Sequence, residues 1–375
     1  MRVLLLRNVR EASSISMKLY ADRIVGALGG RCQIEEVHPW SPPTSPRSRL
    51  PLAGKGLEYI ARYAVYPLSL LGRRGDIFHV VDHAYSHLLL CVPPRRTVVT
   101  CHDLVLLKLA NGEFGGFPAA PSGALRLFQF SVRFLRRAAR IVAVSSSTAD
   151  DLVKYLDIPR DAIQVIHSGV DPIFAPPANP SLRSAALARF DLGDRPVLLH
   201  VGNNWFYKNL EGVIRALALL QRGNGGRGPI LVKAGKGLSP AQRSLAKALG
   251  VGNQIRELGT VSAEDLQAAY WAADMLVFPS LWEGFGWPPL EAMASGTPVV
   301  ASNRGGLAEV VGDAARLVKP EEPEDIAGGI EDVLTDQRLR KSLISRGLER
   351  ARVFSWQRAG EQLYQLYRAV LESSW

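Results

Sequence analysis

A chain of 375 residues with 47% hydrophobic and 21% charged residues is too long for one ordinary core and too apolar to be disordered. Its three cysteines, Cys32, Cys91 and Cys101, are odd in number and lack C-x-x-C spacing, which argues against a disulfide framework or a zinc knuckle and for reduced thiols in a cytoplasmic setting. The charge is one-sided: residues 1–185 hold 23 of the 45 Lys+Arg against 14 of the 35 Asp+Glu, a net of +9, which leaves +1 for the rest. An anionic partner of the first half is therefore expected, whether phospholipid headgroups, a diphosphate-linked acceptor or nucleic acid.

The opening, Met1 to Arg7, is a short apolar strand interrupted by charge and not a secretion signal. No uncharged apolar run approaches the roughly 18 residues that span a bilayer. Strands are predicted in the first half at Val3–Leu6, Gln33–Val37, Ile77–Val81, Thr97–Thr100, Ile141–Val144 and Gln164–Ile166. Each is a short Val, Ile or Leu run, as parallel strands read when helices cover both faces. Helices are predicted at Ser16–Leu28, Ala124–Ala139 and Ser147–Leu156, the last starting at Ser147 or Thr148 with Asp150 and Asp151 in its first turn. The stretch Leu57–Leu71 reads as a helix broken at Pro67.

Four prolines between 172 and 180 mark a linker. A second alternating series follows, with strands at Val197–Val201, Ile230–Lys233, Ile255–Leu258, Met275–Phe278, Pro298–Ala301 and Arg316–Val318. Helices fall at about 209–221, 239–249, 263–272, 288–295 and 323–334, and an amphipathic helix Gln357–Glu372 ends the chain. Two successive series imply an α/β protein of two doubly wound domains with a cleft between them. The expected domains are 1–175, 176–355 and a terminal helix 356–375.

The segment from Phe278 through Trp282-Glu283-Gly284-Phe285-Gly286 to Pro288-Pro289-Leu290-Glu291 and Gly296 reads as a buried strand, a glycine turn and a helix. The prolines suit the first helical turn and Gly296 the position past its end. Backbone N–H groups of Gly284 and Gly286, with a helix N-terminus behind them, suit a diphosphate or a sugar hydroxyl. Glu283 lies where open α/β sheets bind ligands, and Glu291 can accept from vicinal ribose hydroxyls. Taken singly, Glu283 reads equally as a solvated acid and Glu291 as a complement to the helix dipole.

Two glutamates with seven residues between them, around a Gly-Phe-Gly turn, resemble the signature of glycosyltransferase family 4, a retaining family with the GT-B fold. Further segments resemble it in the same order: Thr100-Cys101-His102-Asp103-Leu104, Val144-Ser145 to Leu152, Val165-Ile166-His167-Ser168-Gly169-Val170-Asp171, Val201-Gly202 to Lys208-Asn209-Leu210, Leu258-Gly259-Thr260-Val261-Ser262 and Gly305-Gly306 to Glu309. The resemblance runs over roughly residues 95 to 375. It implies two Rossmann-like domains facing a cleft, the nucleotide sugar on the second, the acceptor mainly on the first, and a last helix that crosses back to the first.

Residue by residue, the resemblance implies Glu291 on the donor ribose and Glu283 with Gly284, Phe285 and Gly286 on the donor sugar. Lys208 would neutralise the leaving diphosphate, where a fixed cation lowers the barrier. His102 would meet a donor hydroxyl or phosphate from the first domain; a satisfied buried histidine is the alternative. Asp103, Gly202, Asn203, Lys236 and Val261 complete the implied donor set. His102, Lys208 and Glu283 are the implied catalytic residues. The chain departs from the family twice. Phe206 and Tyr207 stand where an arginine often precedes the lysine, so Lys236 is a candidate substitute cation. Ser13, Ser14 and Ser16 replace a glycine pair, and their hydroxyls are candidates for an acceptor or phosphate loop.

No D-x-D triplet, H-E-x-x-H or Cys/His cluster implies a metal, and no G-x-G-x-x-G follows either first strand. The expectation is a metal-independent hexosyltransferase with a nucleotide sugar as co-substrate and no other cofactor. GDP-mannose is the favoured donor, and a glycan or lipid-linked acceptor of surface polysaccharide or glycolipid assembly the favoured acceptor. A nucleotide-sugar epimerase or hydrolase, or a non-catalytic basic binding protein, is the alternative. Arg133, Arg136, Arg137 and Arg140 are interleaved with Phe128, Phe130, Val132, Phe134 and Leu135, as in a helix packed on a sheet, and no nucleic-acid partner is expected. An anionic membrane surface is a candidate partner, giving a cytoplasmic protein peripheral on the inner face of the membrane. Arg62, Arg73 and Arg74 flank Ala64–Leu71, with Tyr63 and Tyr66 at headgroup depth and Arg126, Arg133, Arg136 and Arg137 as a second basic group; the alternative is that Ala64–Leu71 is core.

Overall fold

The structure, a computed structural model, describes residues 1–8, 15–40, 51–115, 122–223 and 228–373. The chain divides into two units, Met1–Gly169 with Trp356–Trp375, and Val170–Ser355. Each is built on a six-stranded sheet whose strand pairs are all parallel.

In the first unit the strands are β1 (Arg2–Leu6), β2 (Gln33–Val37), β3 (Ile77–Val80), β4 (Thr97–Cys101), β5 (Arg140–Ala143) and β6 (Ile163–Val165), in the order β2-β1-β3-β4-β5-β6. In the second they are β7 (Val197–Gly202), β8 (Ile230–Gly235), β9 (Ile255–Gly259), β10 (Met275–Phe278), β11 (Val299–Ala301) and β12 (Ala315–Leu317), in the order β12-β11-β10-β7-β8-β9. The predicted strands are all present; the central ones are Val/Ile/Leu-rich runs that helices on both faces bury, whereas the edge strands β2, β9 and β12 are more polar and partly exposed. Strand β10 is buried throughout. The order reverses between β1 and β3 in one sheet and between β7 and β10 in the other. The connections leave those two positions in opposite directions, which opens a crevice at the carboxyl ends of the strands.

The last helix, Trp356–Glu372, belongs to the first unit. It packs along helix Ile15–Leu28. A buried chain of polar atoms fixes it there: the Tyr367 hydroxyl lies 2.7 Å from His79 Nδ1, and His79 Nε2 lies 2.8 Å from the Thr100 hydroxyl. Burial holds the His79 pKa down to about 3, so the imidazole is neutral and the network carries no buried charge.

Three local expectations are corrected. Pro67 does not break its helix: Pro51–Ile60 passes through a π-helical turn, Ala61–Val65, into Tyr66–Ser69. The wider turn lets Pro67 sit at the start of a new helical turn, where its missing N–H costs nothing. Helix Ser146–Leu156 starts earlier than expected, capped by the Ser145 side chain, which accepts from Thr148 N. Asp151 therefore lies in the second turn, where it pairs with the buried Lys108 Nζ at 2.9 Å. Tyr66 is fully buried and donates to Val37 O at 2.8 Å, so it reaches no surface.

Of the helices the sequence pattern does not predict, Val105–Ala110 and Gly306–Val311 are short and two are longer. Asn179 caps Pro180–Arg189, whose proline is its first residue, so the proline-rich stretch starts a helix as well as breaking one. Gln337–Val353 is so polar that only Leu343, Gly347 and Ala351 are buried.

Candidate active site

At the β7–β10 crevice two of the residues singled out in the second unit, Lys208 and Glu283, meet. After β7 the chain makes one tight turn, Phe206–Lys208, and Asn209 takes a left-handed conformation with φ 53°. Asn209 is the lock of this turn. Its Nδ2 donates to Pro279 O at 3.0 Å and Pro320 O at 2.6 Å, and its Oδ1 accepts from Gly212 N at the start of helix Leu210–Gly223. Leu281 N donates to Tyr207 O at 2.7 Å, joining this turn to the one that leaves β10.

The result is an ion pair. Lys208 Nζ donates to both Glu283 oxygens, at 2.8 and 2.9 Å, and both side chains are nearly buried. The ammonium also lies 5.0 Å from the Phe278 ring centroid and 5.5 Å from that of Tyr207. Gly202 closes β7 with φ 138°, and a Cβ there would stand 3.7 Å from Lys208 Cε, so the lysine stem crosses directly over it. Gly306 N donates to Glu283 O at 2.7 Å, so the Gly305-Gly306 segment holds the backbone of Glu283 in place.

Gly286 caps helix Trp287–Ala294 with φ 114°, a conformation that side chains avoid, and a Cβ would collide with Leu307. Its glycine is thus required by the turn itself. Glu291 lies in the second turn of that helix, not the first. It is buried, and its Oε2 accepts from Tyr270 OH at 2.8 Å. Burial pushes its pKa up to about 7 despite that hydrogen bond. Gly284 is half-buried and Phe285 is buried, packing edge-on to Phe354.

The outer residues are less tightly held. Asn203 Oδ1 accepts from Trp205 N at 3.1 Å, and Asn204 Nδ2 donates to Gly237 O, tying the turns after β7 and β8 together. Lys236 is exposed and has no ion-pair partner among the described residues. Val261 is half-buried in the turn before helix Ala263–Ala272.

In the first unit, His102 follows β4 and is buried. Its Nε2 donates to Val81 O at 2.8 Å, its ring meets Tyr20 edge-on at 4.7 Å, and its backbone N donates to His83 Nδ1 at 3.4 Å. Burial lowers its pKa, so the ring is neutral and Nδ1 is an acceptor with no protein partner among the described residues. Asp103 Oδ1 caps the backbone at Val105 N, 3.1 Å away. Ser16 is exposed in the first turn of its helix; Ser13 and Ser14 lie outside the described residues.

The sequence pattern does not point to Tyr270, Asn209 or the pair Asp82-His83 at the end of β3. Only Asn209 carries a signal there, its place beside Lys208 in a family-like segment. Among the described residues no group of three or more His, Cys, Asp or Glu side chains could hold a metal.

Comparison with known proteins identifies the family and the fold. The family model "Glycosyl transferases group 1" matches residues 188–350, and "Glycosyltransferase Family 4" matches residues 21–174. O-antigen chain mannosyltransferase B of Escherichia coli is 30% identical over 295 residues, 77% of this chain and 75% of that protein. Sucrose-phosphate synthase from Thermosynechococcus elongatus shares the fold over 100% of both chains, with a TM-score of 0.79 at 19% identity. HepE of Anabaena, solved in complex with UDP and glucose, shares it over 98% of this chain and 100% of its own, with a TM-score of 0.76 at 18% identity.

Proposed function

The chain belongs to glycosyltransferase family 4 and has the GT-B fold, and from that premise we propose that it transfers a hexose with retention from a nucleotide sugar to a glycan or lipid-linked acceptor. The observation that carries the reading is the Lys208–Glu283 pair at the β7–β10 crevice, beside the buried Glu291. In the free protein the ammonium and the carboxylate neutralise each other. A diphosphate competes for Lys208, which releases Glu283 to accept hydrogen bonds from sugar hydroxyls. Glu291 holds the ribose. The neutral His102 has only an acceptor to offer, so it suits a sugar hydroxyl and not a phosphate.

In this reading the bond from the anomeric carbon to the phosphate oxygen breaks as the acceptor oxygen bonds to the same face of that carbon. The acceptor proton passes to the departing phosphate. Lys208 stabilises the charge that builds there. Mannose as the sugar is supported by the likeness to the Escherichia coli mannosyltransferase, and GDP is the carrier proposed with it. Thermal shifts with GDP, UDP, GDP-mannose and UDP-glucose test the donor: a ligand at 100 times its Kd adds about 2.7 kcal/mol of stability. Turnover is expected to survive EDTA, since Lys208 and backbone N–H groups meet the phosphate charge. Complete loss on chelation, restored by magnesium or manganese, overturns that assignment.

The acceptor side adds a membrane surface to the proposal. No helix among the described residues is long and apolar enough to cross a membrane. Yet one helical run of the first unit leaves Leu57, Ile60, Leu68 and Leu71 between 45% and 62% exposed. Tyr59, Tyr63 and Leu127 line a shallow apolar groove beside it. Arg74, Arg126 and Arg133 are exposed and have no ion-pair partner among the described residues, whereas Arg73 and Arg136 are paired with Glu35 and Asp157. Exposed apolar side chains with unpaired arginines suit an anionic lipid surface, at about 1 kcal/mol per basic residue. Co-sedimentation should appear with anionic and not zwitterionic vesicles, and should weaken as salt rises. Equal recovery in the supernatant with both vesicle types at low salt rules the surface out.

A further inference from the structure

Lys233 stands in the middle of β8 with no exposed surface. A parallel strand covered on both faces ordinarily carries an apolar residue there. Its Nζ donates to Gly202 O at 2.5 Å and Ala234 O at 2.9 Å, and it reaches no carboxylate within ion-pair distance among the described residues. Burying an ammonium against two carbonyls is costly, and a methionine of similar volume would remove that cost. The neighbours do not repay it. Across β7, Lys233 pairs with His200, whose Nδ1 donates to Val277 O at 3.0 Å. His200 Nε2 is buried without a partner among the described residues, and burial, then the charge of Lys233, hold that imidazole neutral. Across β9, Lys233 pairs with Glu257, whose carboxylate is turned away to Leu238 N at 2.7 Å and to Arg243 at 3.0 Å.

What Lys233 does hold is Gly202. That glycine is the last residue of β7, and the stem of Lys208 crosses over it. One residue is thus gripped by two lysines, with Lys233 on its carbonyl and Lys208 over its Cα. The turn that follows carries Phe206 and Tyr207 ahead of Lys208 and so adds no further cation. Lys208 itself is neutralised by Glu283 until an anion arrives.

We propose that Lys233 is the buried second cation of the diphosphate site, a positioning residue that fixes the Gly202 carbonyl and adds an unneutralised charge from inside the sheet. The proposal rests on the reading of the β7–β10 crevice as a nucleotide-sugar site. Burial, and after it the charge of Lys208, lower the Lys233 pKa to about 8, so the proton is held loosely in the free protein. A diphosphate favours the protonated form. Affinity is then full below that pKa and declines as pH rises through it, by tenfold for each unit by which the ligand raises the pKa. The charged groups that face Lys233 do not mimic this limb: His200 stays neutral, and Glu257 keeps its bonds to Leu238 and Arg243.

Calorimetric titration with GDP and with UDP tests this on the unmodified protein. At pH 8, in two buffers of different ionisation enthalpy, binding should take up protons, and Kd should rise between about pH 8 and 9.5. Lys233→Met should weaken binding by about tenfold or more, remove the proton uptake and leave the melting temperature equal or higher. Lys233→Arg, always charged, should restore affinity without the alkaline limb. Binding without proton uptake, together with an unchanged Kd in Lys233→Met, overturns the inference while a weakened Lys208→Ala leaves the donor-site reading standing. If Lys208→Ala and Glu291→Ala also bind GDP and UDP as the unmodified protein does, the reading falls, and this inference with it.

Discussion

Lys208→Ala is expected to reduce sugar transfer by about 100-fold or more, because it removes the cation that meets the charge on the departing diphosphate. The substitution also leaves Glu283 nearly buried with no counter-charge, so the variant should melt lower as well. Those two effects are separable. In Lys208→Ala with Glu283→Gln the orphaned carboxylate is gone, and the melting temperature should return toward that of the unmodified protein. Turnover should not return, since the leaving group still lacks its cation. No neighbour is placed to rescue it: Phe206 and Tyr207 precede it in the turn, Lys236 is exposed beyond β8, and Lys233 is enclosed in the sheet with both carbonyl bonds in place. Single-turnover rates with saturating donor give the result. A single variant within a few-fold of the unmodified rate transfers the role to Lys236.

The fold is legible because its strands are simple to recognise. Runs such as Val3–Leu6 and Met275–Phe278 are apolar without interruption, and two alternating series leave few topologies. What escapes has physical reasons. Gln337–Val353 buries a stripe of small and isolated residues, so it carries too little apolar periodicity to read as a packed helix. Pro180–Arg189 is hidden in a stretch whose prolines read as a linker until Asn179 is seen to cap it. Ser145 does not stand out as a cap because the acids that suggest a helix start lie five and six residues further on, and Asp151 serves the Lys108 pair.

At the site, Glu283 and Glu291 stand out by type and spacing along one chain segment, and Lys208 by its place in a family-like one. Their partners do not. Tyr270 reaches Glu291 from another helix, Asn209 fixes Lys208 by bonding to Pro279 and Pro320, and Lys233 acts across a strand pair. None of these contacts leaves a periodicity or a spacing in the sequence. The same holds for Tyr66, which looks like a headgroup residue beside Leu68 and Leu71. The π-helical turn ahead of it rotates Tyr66 inward onto Val37 O while those leucines stay outside.

Glu291→Ala is expected to weaken nucleoside diphosphate binding by about 1–3 kcal/mol, the loss of charged hydrogen bonds to a ribose diol in a buried place. The pH dependence makes the test sharper. Burial pushes this carboxyl up to about 7, with the Tyr270 hydroxyl opposing the shift. Ribose hydroxyls donate, so they need the ionised form, and bound nucleotide must lower the pKa. On the acid side, affinity for GDP or UDP should therefore fall as pH drops through 7, separately from the alkaline limb of Lys233. Tyr270→Phe removes the hydrogen bond that favours the ionised form and should move this acid limb to higher pH. Glu291→Gln cannot ionise and should bind weakly with no limb at all. Stability should run the other way. A carboxyl whose folded pKa lies above its unfolded value stabilises the fold when protonated, and that contribution is lost as pH rises from about 4.5 through 7. Glu291→Gln should thus gain melting temperature over the unmodified protein at pH 8 and little at pH 5. A residue that costs stability at the pH where it binds best is held in place by its ligand. Unchanged affinity in Glu291→Ala, with a flat profile between pH 6 and 8 in the unmodified protein, removes Glu291 from the site.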